Sequence, residues 1–355
     1  MVNEALKLAF GQFDLTAEPV SILPLGNGHI NETHLVLCLN GEKYVLQKIN
    51  QHVFTDVNLL MNNIVLVTEY LNRQRPGSSL CFLRTRDGSP FAEQNGCCYR
   101  AYRYMDGMCL EKAASPEDLC ACGVAFGEFQ MSLSGFDASL LGEVIPRFHD
   151  TVKRLSDLRT SAEQDVSGRA KGVRSEIDFY LSRAPEAGKM ISMQSQGLLK
   201  TRVTHNDTKL NNVILSTDTH EPLCVIDLDT VMPGLAGNDF GDCIRSGAST
   251  GAEDEKDLDK VSLDFDMYAA FARGFLSRCG AALFEKEIET LPLGAYLMTY
   301  ECGARFLTDY LSGDVYFHTA YPEHNLVRAR TQMKLVSESE KYWNRLQKII
   351  SDNRI

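Results

Sequence analysis

The sequence lacks any run of about 18 apolar residues, the length that a membrane-spanning helix needs. Its first residues, Met1 to Lys7, lack a basic region followed by an apolar core, so we expect no secretory signal. Internal repeats and low-complexity tracts are also missing. We therefore expect a globular protein without a membrane partner.

A C-x-x-C pair and a zinc-ligand spacing are missing among the eleven cysteines. In a chain of 355 residues this pattern predicts free thiols and a reducing, cytoplasmic location. The hydrophobic fraction is 44%, which is enough for a large core arranged as one domain or as two lobes.

An excess of basic residues is absent, since the formal net charge is −11. Nucleic acid is therefore a poor partner, because binding it requires Lys and Arg to displace counterions. An anionic membrane surface is disfavoured for the same reason. The acidic balance can favour a cationic substrate but more often serves solubility, so it does not decide between a sugar and an aminoglycoside.

The motif that organises the chain runs from His205 through Asp207 to Asn212 and is followed by an apolar run that leads to Asp227 and Asp229. In phosphoryl transfer a carboxylate accepts the proton of the attacking hydroxyl, and an Asn and a second Asp hold Mg²⁺ under the phosphates. The spacing predicts Asp207 as the catalytic base and Asn212 and Asp227 as metal ligands. We interpret His205 as a partly buried structural ring. Asp229, two residues further along a predicted strand, either reaches a second metal ion or braces the first.

The alternative is that these side chains only stabilise turns or cap a strand. Two short apolar segments, 213–216 and 223–226, predict a buried hairpin with its turn at Thr217–Pro222. Three groups competent for metal or proton chemistry at the ends of one hairpin are hard to explain by turn chemistry alone.

Residues 203–215 resemble the catalytic loop of the aminoglycoside phosphotransferase and choline kinase group, relatives of the protein kinases. Longer blocks at 225–234, 239–250, 301–307 and 321–328 resemble the N-acetylhexosamine 1-kinases of that group. The similarity runs over nearly the whole chain.

This resemblance implies an α+β, protein-kinase-like fold with two lobes. The N-lobe, residues 1–106, is expected to be mainly antiparallel β, and the C-lobe, residues 107–355, mainly α-helical. The resemblance implies ATP and Mg²⁺ as cofactors and a small-molecule sugar as the partner. The implied activity is phosphorylation of the anomeric 1-hydroxyl of N-acetylglucosamine or N-acetylgalactosamine, and we expect a monomer rather than an oligomer.

A strand, a Gly-rich turn at Gly26-Asn27-Gly28 and a second strand precede Lys48. Gly-x-Gly alone fits a hairpin turn as well as a phosphate-covering turn, and the resemblance implies the latter. Lys48 resembles the third-strand lysine that grips the α- and β-phosphates, although a lone strand Lys is usually an exposed edge residue. The next helix contains Glu69 as its one carboxylate well inside, and whether Glu69 pairs with Lys48 stays open.

Tyr104 and Met105 follow an aromatic-rich strand and are predicted to lie at a hinge where the backbone meets the adenine edge; the alternative is plain core. Gly107 is the boundary we choose between the lobes. Turn signals at Asp87-Gly88 and Asn95-Gly96 predict two strands within 80–103. Helices are predicted at 3–13, 58–73, 116–134, 263–279, 284–291, 294–310 and 326–350, and a solvated helix start at 252–260.

Five further residues with polar side chains lie after the central motif. Asp239 and Asp242 are assigned a supporting role, because the resemblance implies that an Asp here orients the catalytic loop. Glu301 and Arg305 are four residues apart on one predicted helix, a spacing that fits an ordinary ion pair. The resemblance implies instead that Arg305 and Tyr316 contact the sugar, together with the catalytic base.

Three other interpretations remain at this stage. A related kinase could act on an aminoglycoside, choline or an amino acid; a cationic acceptor needs clustered carboxylates, whereas Arg305 suits a neutral sugar. A pseudokinase usually lacks one of the four expected Lys, Asp, Asn and Asp groups, and all four are present. A hydrolase with Asp207 as nucleophile has no need of Asn212 or of the Gly-rich turn.

Overall fold

In the computed structural model, which describes residues 4–26 and 30–354, the chain forms two compact units. The first unit comprises the residues up to Met108 together with 135–146 and 214–232. The second unit comprises the remaining residues. Two segments that the predicted boundary assigned to the C-lobe therefore pack with the first unit.

The elements of the described residues alternate between short strands and helices before residue 236 and are helical after it. In chain order they are α1 Glu4–Phe10, β1 Pro19–Pro24, β2 Glu32–Cys38, β3 Lys43–Lys48, α2 Val57–Gln74, β4 Ala92–Gln94, β5 Cys97–Arg103, α3 Pro116–Ser132, α4 Thr151–Gln164, α5 Arg174–Ser182, α6 Ala184–Ala187, α7 Lys189–Ser195, β6 Arg202–Thr204, β7 Val213–Leu215, β8 Pro222–Val225, β9 Met232–Gly234, α8 Ala236–Gly247, α9 Phe265–Cys279, α10 Glu285–Glu289, α11 Leu291–Leu311, α12 His324–Lys341 and α13 Trp343–Asp352.

A five-stranded antiparallel sheet in the order β1-β2-β3-β5-β4 frames the first unit. One face of this sheet packs on α1. Phe10 of α1 contacts Tyr44 of β3 with ring centroids 5.7 Å apart, and both belong to a buried cluster that includes Leu46 and Ala101. Strands β7 and β8 form a separate hairpin. The predicted antiparallel sheet and the predicted hairpin are confirmed.

Local sequence explains where several of these elements begin and end. Asn95 and Gly96 have φ of 52° and 75°, which makes the tight turn between β4 and β5. Asp56 caps α2, because its carboxylate accepts a hydrogen bond from the backbone N–H of Leu59. The two strands predicted within 80–103 are β4 and β5, and residues 80–91 before them contribute only isolated bridges.

Helices make up most of the second unit, as predicted. Nearly all residues of α11 are buried, and α4, α8 and α12 pack against it. α3 begins with a capping box in which Ser115 and Asp118 bond each other's backbone N–H groups, with Pro116 in the first turn. The helix predicted for 326–350 is divided at Tyr342 into α12 and α13.

The charge run at 252–260 does not start a helix and instead forms a closed loop. The Thr250 hydroxyl donates to the carbonyl oxygen of Lys260 (2.7 Å) and accepts from the backbone N–H of Ser262 (2.9 Å). These bonds join the two ends of the loop. A pattern of charges along the chain does not encode such a closure.

Glycines allow α8 to lie directly against α11 in the second unit. A Cβ atom added at Gly294 of α11 would lie 2.7 Å from the carbonyl carbon and 2.9 Å from the Cα atom of Gly237. A Cβ atom at Gly241 would lie 2.5 Å from the carbonyl carbon of Gly294. The two helices therefore contact each other through backbone atoms at this crossing. The positions of the side chains near the crossing depend on that close contact.

We predict that Gly294→Ala lowers the free energy of unfolding by about 1–3 kcal/mol, since the helices must separate to admit the methyl group. Gly172→Ala is the matched control, because nothing lies within 4 Å of its added Cβ and its φ is not positive. Thermal or urea unfolding of both variants tests this. A Gly294→Ala protein as stable as the Gly172→Ala protein would contradict the close crossing.

All eleven cysteines are free thiols in the structure, as the sequence predicts. Within residues 4–26 and 30–354, no helix combines the length and the apolar character needed to cross a membrane.

Candidate active site

The loop that follows β6 carries the predicted base. It leaves the strand after Thr204 and ends in a short 3₁₀ turn at Leu210–Asn212 before β7 begins. Asn206 has φ of 64°, a left-handed conformation that Asn tolerates better than most residues. This reversal exposes part of Asp207, whose side chain is 26% exposed, while its neighbours Asn206 and Thr208 are buried.

A single buried carboxylate, that of Asp239 on α8, anchors this loop. Its Oδ2 accepts the backbone N–H of His205 (3.0 Å) and its Oδ1 the backbone N–H of Asn206 (2.8 Å). Gln130 of α3 donates to Oδ2 at 2.7 Å. Burial raises the pKa of Asp239, and the three N–H donors only partly oppose that rise. The carbonyl oxygen of Asp239 also accepts from the Thr208 hydroxyl at 2.6 Å, so this residue fixes the loop on both sides of the predicted base.

The ring of His205 is fully buried, and its edge contacts Phe126 and Phe129 at centroid distances of 5.4 and 6.0 Å. Its Nδ1 faces the backbone N–H of Asp207 at 3.3 Å. The prediction that His205 props the loop agrees with these contacts.

Asp207 lies between two side chains of its own loop. Its Oδ1 pairs with Nζ of Lys209 at 2.7 Å. The amide nitrogen of Asn212 donates to the carbonyl oxygen of Asp207 at 2.8 Å and approaches its Oδ2 at 3.4 Å. The structure therefore brings together the predicted base and the predicted metal ligand of the second unit. Because the amide nitrogen of Asn212 is used in this way, its oxygen remains for another ligand.

Lys209 is the cation nearest to the predicted base in this loop. Desolvation beside the loop lowers the pKa of Lys209, but the carboxylates of Asp207 and Asp242 more than offset this, and its pKa lies above the ordinary value. Asp242 is itself paired with Arg245 of the same helix at 3.2 Å. Lys209 therefore stays charged next to Asp207.

The remaining predicted metal ligand, Asp227, belongs to the first unit. It does not lie in a strand, because β8 ends at Val225 and residues 228–230 form a 3₁₀ turn. Asp227 has φ of 59° and ψ of 56° and is exposed. This left-handed residue rotates the chain, so the alternation used to place Asp229 on the same side as Asp227 does not apply.

Asp229 forms a buried ion pair. Its Oδ1 is paired with the buried guanidinium of Arg100 on β5, and its Oδ2 accepts from the side-chain amide of Asn31 at 2.5 Å. The Nε of Arg100 donates a hydrogen bond to the side-chain oxygen of Gln47 on β3 at 2.9 Å. With both oxygens engaged, Asp229 braces the turn that carries Asp227, which is the second of the two predicted roles. The sequence analysis did not single out Arg100 or Asn31, because both are distant in sequence.

Lys48 lies on the opposite face of the sheet from Arg100. The register pairs Lys48 with Tyr99 and Gln47 with Arg100, and the Lys48–Tyr99 pair shares the α1 face of the sheet. Lys48 bonds Glu32 of β2 at 2.8 Å, which raises its pKa. Glu69 pairs with Arg84 and not with Lys48.

The other nucleotide-site predictions are located as follows. Gly26 has φ of 69° and follows β1, whereas Asn27 and Gly28 lie outside the described residues. Tyr104 and Met105 form an irregular, half-buried segment after β5, and the backbone N–H of Tyr104 donates to the carbonyl oxygen of Lys43 at 3.0 Å.

Arg305 and Tyr316, predicted to contact the acceptor, are close together in the second unit. The guanidinium of Arg305 lies 5.9 Å from the ring centroid of Tyr316, 5.5 Å from that of Phe317 and 5.7 Å from that of Phe148. The Asp309 carboxylate shapes this loop by accepting backbone N–H groups of residues 315–317 at 2.8–3.0 Å. Tyr316 is 69% exposed.

Glu301 does not form the ordinary ion pair with Arg305 that the i, i+4 spacing allowed. Its Oε1 lies 3.0 Å from Nδ1 of His149, and its Oε2 accepts the Thr151 hydroxyl at 2.8 Å. The other ring nitrogen of His149 lies 3.1 Å from the carbonyl oxygen of Asn206. Sequence reasoning missed His149, because it belongs to no motif and reaches the loop only through the fold.

The predicted donor set suits magnesium. Mg²⁺ uses oxygen ligands, and in phosphoryl transfer one or two side chains are completed by phosphates and water. No cluster of three or more His, Cys, Asp or Glu side chains that could hold a metal occurs in the part of the chain that the structure describes. Each of the two predicted ligands offers an oxygen donor of this kind, an amide oxygen in Asn212 and a carboxylate in Asp227.

This chain is similar to known proteins in two respects: a family model matches its sequence, and solved structures share its fold. Residues 21–272 match the model of the phosphotransferase enzyme family. An aminoglycoside phosphotransferase from Alicyclobacillus acidocaldarius has a similar structure (TM-score 0.64, 12% identity, 99% of this chain and 98% of that chain covered). So does an ethanolamine kinase from Plasmodium vivax (TM-score 0.58, 15% identity, 88% and 82% covered).

An amicoumacin kinase, solved with AMP-PNP and Ca²⁺, is also similar (TM-score 0.59, 14% identity, 91% and 90% covered). At such identities these likenesses show the fold alone. They confirm the predicted α+β, kinase-like architecture, with an antiparallel sheet in the first unit and helices in the second.

Proposed function

Because this chain belongs to the phosphotransferase enzyme family, we propose that it is an ATP- and Mg²⁺-dependent kinase of the anomeric 1-hydroxyl of N-acetylhexosamines. The products are the sugar 1-phosphate and ADP. The observation that carries the proposal is the catalytic loop, in which Asp239 holds the backbone on both sides of Asp207 and Asn212 bonds that residue at 2.8 Å.

Asp207 is the proposed general base. It accepts the proton of the attacking hydroxyl and orients that oxygen toward the γ-phosphorus. An anomeric hydroxyl is more acidic than an ordinary alcohol, because the ring oxygen withdraws electron density, so a carboxylate suffices. The ion pair with Lys209 restricts the rotation of this carboxylate.

Asn212 and Asp227 are the proposed ligands of Mg²⁺. The amide nitrogen of Asn212 is directed to Asp207, which leaves the amide oxygen for the metal ion. Arg100 and Asn31 fix the turn that carries Asp227 through their bonds to Asp229. When bound, Mg²⁺ neutralises the charge on the phosphoryl oxygens.

For the nucleotide, we propose that the segment Gly26-Asn27-Gly28 covers the phosphates and that Tyr104 and Met105 lie at the adenine edge. We do not propose Lys48 as a phosphate ligand. Its side chain lies on the same sheet face as Leu46, which is the face that packs on α1.

The charge pattern around Arg305 supports a neutral sugar as acceptor. Binding of choline or an aminoglycoside requires carboxylates that can pair with the positive charge of the acceptor. Two carboxylates on α11 are candidates for that pairing. Glu301 is bonded to His149 and Thr151, and Asp309 to three backbone N–H groups. Arg305 and Tyr316 remain to donate hydrogen bonds to sugar hydroxyl or acetamido oxygens.

An acceptor panel tests the function. The protein is incubated with MgATP and N-acetylglucosamine, N-acetylgalactosamine, their methyl glycosides, choline or an aminoglycoside, and the phosphate is located by ³¹P NMR. We expect phosphate at C1 of the free sugars and no transfer to the methyl glycosides, which lack that hydroxyl. Transfer to choline or the aminoglycoside alone would rule out a sugar as the acceptor but would still support kinase activity.

We predict that Asp207→Ala lowers kcat roughly 10²–10⁴-fold through loss of the base, with a smaller change in MgATP affinity. Asp218→Ala, an exposed carboxylate in the β7–β8 turn, is the control and should keep wild-type activity. Steady-state kinetics and nucleotide titration separate the two effects. Full activity in Asp207→Ala would remove this residue from the mechanism.

Asp227→Ala is predicted to abolish Mg²⁺-dependent nucleotide binding, because the metal ion loses its carboxylate ligand. Calorimetric titration with ATP, with and without Mg²⁺, measures the loss against the same Asp218→Ala control. Unchanged MgATP affinity in Asp227→Ala would show that the metal ion is held elsewhere.

A further inference from the structure

His149 connects the catalytic loop to α11 from outside every sequence motif. Its Nδ1 lies 3.0 Å from Oε1 of Glu301, and its Nε2 lies 3.1 Å from the carbonyl oxygen of Asn206. That carbonyl belongs to the peptide bond that joins Asn206 to Asp207. The ring is largely buried, with 11% of its side chain exposed, so water does not readily replace either partner.

The partners of the ring determine its protonation. An ionised carboxylate and a peptide carbonyl oxygen only accept hydrogen bonds, so both ring nitrogens must donate. A neutral imidazole has one N–H and would leave a lone pair facing either Glu301 or the carbonyl oxygen of Asn206. The Thr151 hydroxyl donates to the second oxygen of Glu301, so that oxygen also acts as an acceptor. Both bonds of His149 therefore form together only when the ring is an imidazolium.

We propose that the imidazolium of His149 is a positioning group for phosphoryl transfer, which holds the peptide before Asp207 and couples it to the helix that carries Arg305. This inference rests on the proposed function, because it takes Asp207 as the base. His149 acts through the peptide and touches neither substrate nor the reacting atoms.

The effect on Asp207 follows from how Asn206 is held. The N–H of Asn206 is fixed by Asp239 at 2.8 Å and its carbonyl oxygen by His149 at 3.1 Å. The residue between these two bonds has φ of 64°, so its conformation depends on external support. Loss of the imidazolium frees one of the two peptides, and a displacement of about 1 Å at a catalytic group can lower the rate on the order of 10²-fold.

Two carboxylates act on the ring, Glu301 of α11 and Asp242 of α8. Arg245 and Lys209 act in turn on Asp242, and Arg154 of α4 interacts with Glu301 and Arg305. Of the two carboxylates near the ring, Glu301 bonds it directly and Asp242 acts at longer range.

Burial opposes the charge of His149, but Glu301, Asp242 and the carbonyl oxygen of Asn206 outweigh it and raise the pKa of His149. A raised pKa means that the protonated bridge is fully present below the ordinary histidine value of about 6.5. The bridge is lost as pH rises through the higher pKa of the folded state. The predicted consequence is a fall of kcat on the alkaline side that depends on His149.

The decisive variant is Glu301→Gln, which keeps the shape and the hydrogen-bonding oxygen but removes the charge that stabilises the imidazolium. We expect the alkaline limb of kcat to move to lower pH by about one unit or more, the range for loss of a neighbouring opposite charge, with KM for MgATP little changed. An alkaline limb at the wild-type pH in Glu301→Gln would overturn the proposal, since a purely structural ring is not sensitive to that charge.

His149→Gln provides the second test. One donor replaces two, so kcat should fall roughly 10- to 100-fold and its remaining pH dependence should lose the limb that Glu301→Gln shifts. His52→Gln is the control, because His52 is exposed in the first unit and its side chain makes no hydrogen bond within residues 4–26 and 30–354. If His149→Gln keeps both the wild-type kcat and the wild-type limb, His149 does not position the base.

NMR titration of the wild-type protein keeps the test independent of the acceptor and of the folding of any variant. With no nucleotide or sugar present, the His149 ring should titrate above pH 6.5, and the amide signals of Asn206 and Asp207 should move with it. If the acceptor panel shows no transfer and these signals still move together, the function fails and the bridge stands. The protonated bridge would be rejected if His149 is neutral at pH 6, or if the amide signals of Asn206 and Asp207 do not change as His149 titrates.

Discussion

The hydrogen bonds that Asp239 accepts from the backbone are the constraint on which the candidate site depends. A loop that must place a carboxylate at a fixed point cannot rely on its own six or seven residues. Asp239 replaces the missing strand partner, because it accepts the N–H groups of His205 and Asn206, and its own carbonyl oxygen accepts the Thr208 hydroxyl. The position of Asp239 in turn depends on α8 lying against α11 through glycines. Backbone packing between two helices thus fixes the position of the proposed base, which neither helix carries.

The carboxylates of the two units have separate tasks because their partners differ. Asp229 is buried and bonded on both oxygens, so it is structural. Asp309 shapes the loop of Tyr316 by accepting backbone N–H groups. Glu301 holds His149. Asp207, by contrast, is partly exposed and bonded to side chains of its own loop. Exposure and partner type, more than residue type, separate the proposed base from the supporting acids.

The contact between Asp207 and Asn212 could be predicted from the sequence, because the proposed chemistry requires a fixed spacing along one segment. The sheet face on which the Lys48 side chain lies could not be predicted. It depends on the register of β3 against β5, which the sequence of a single strand does not reveal. The strand predicted through Asp227 ends early, since that residue is left-handed, and no local pattern signals such a reversal. His149 reaches the loop only through the tertiary fold, so nothing near it in sequence marks its contact. The family resemblance conveyed the architecture, and the geometry added the supports around the base.

The central claim, that one buried carboxylate holds the backbone of the catalytic loop, is tested most directly by hydrogen exchange at the amides of His205 and Asn206. Exchange is compared between the wild-type protein and Asp239→Asn, with Asp266→Asn on the surface of α9 as the control. The account predicts that both amides are protected in the wild type and in the control, and exchange at least about tenfold faster in Asp239→Asn, as expected when a charged acceptor worth more than about 1.4 kcal/mol is lost. Fast exchange at these amides in the wild type, or equal rates in all three proteins, would contradict it.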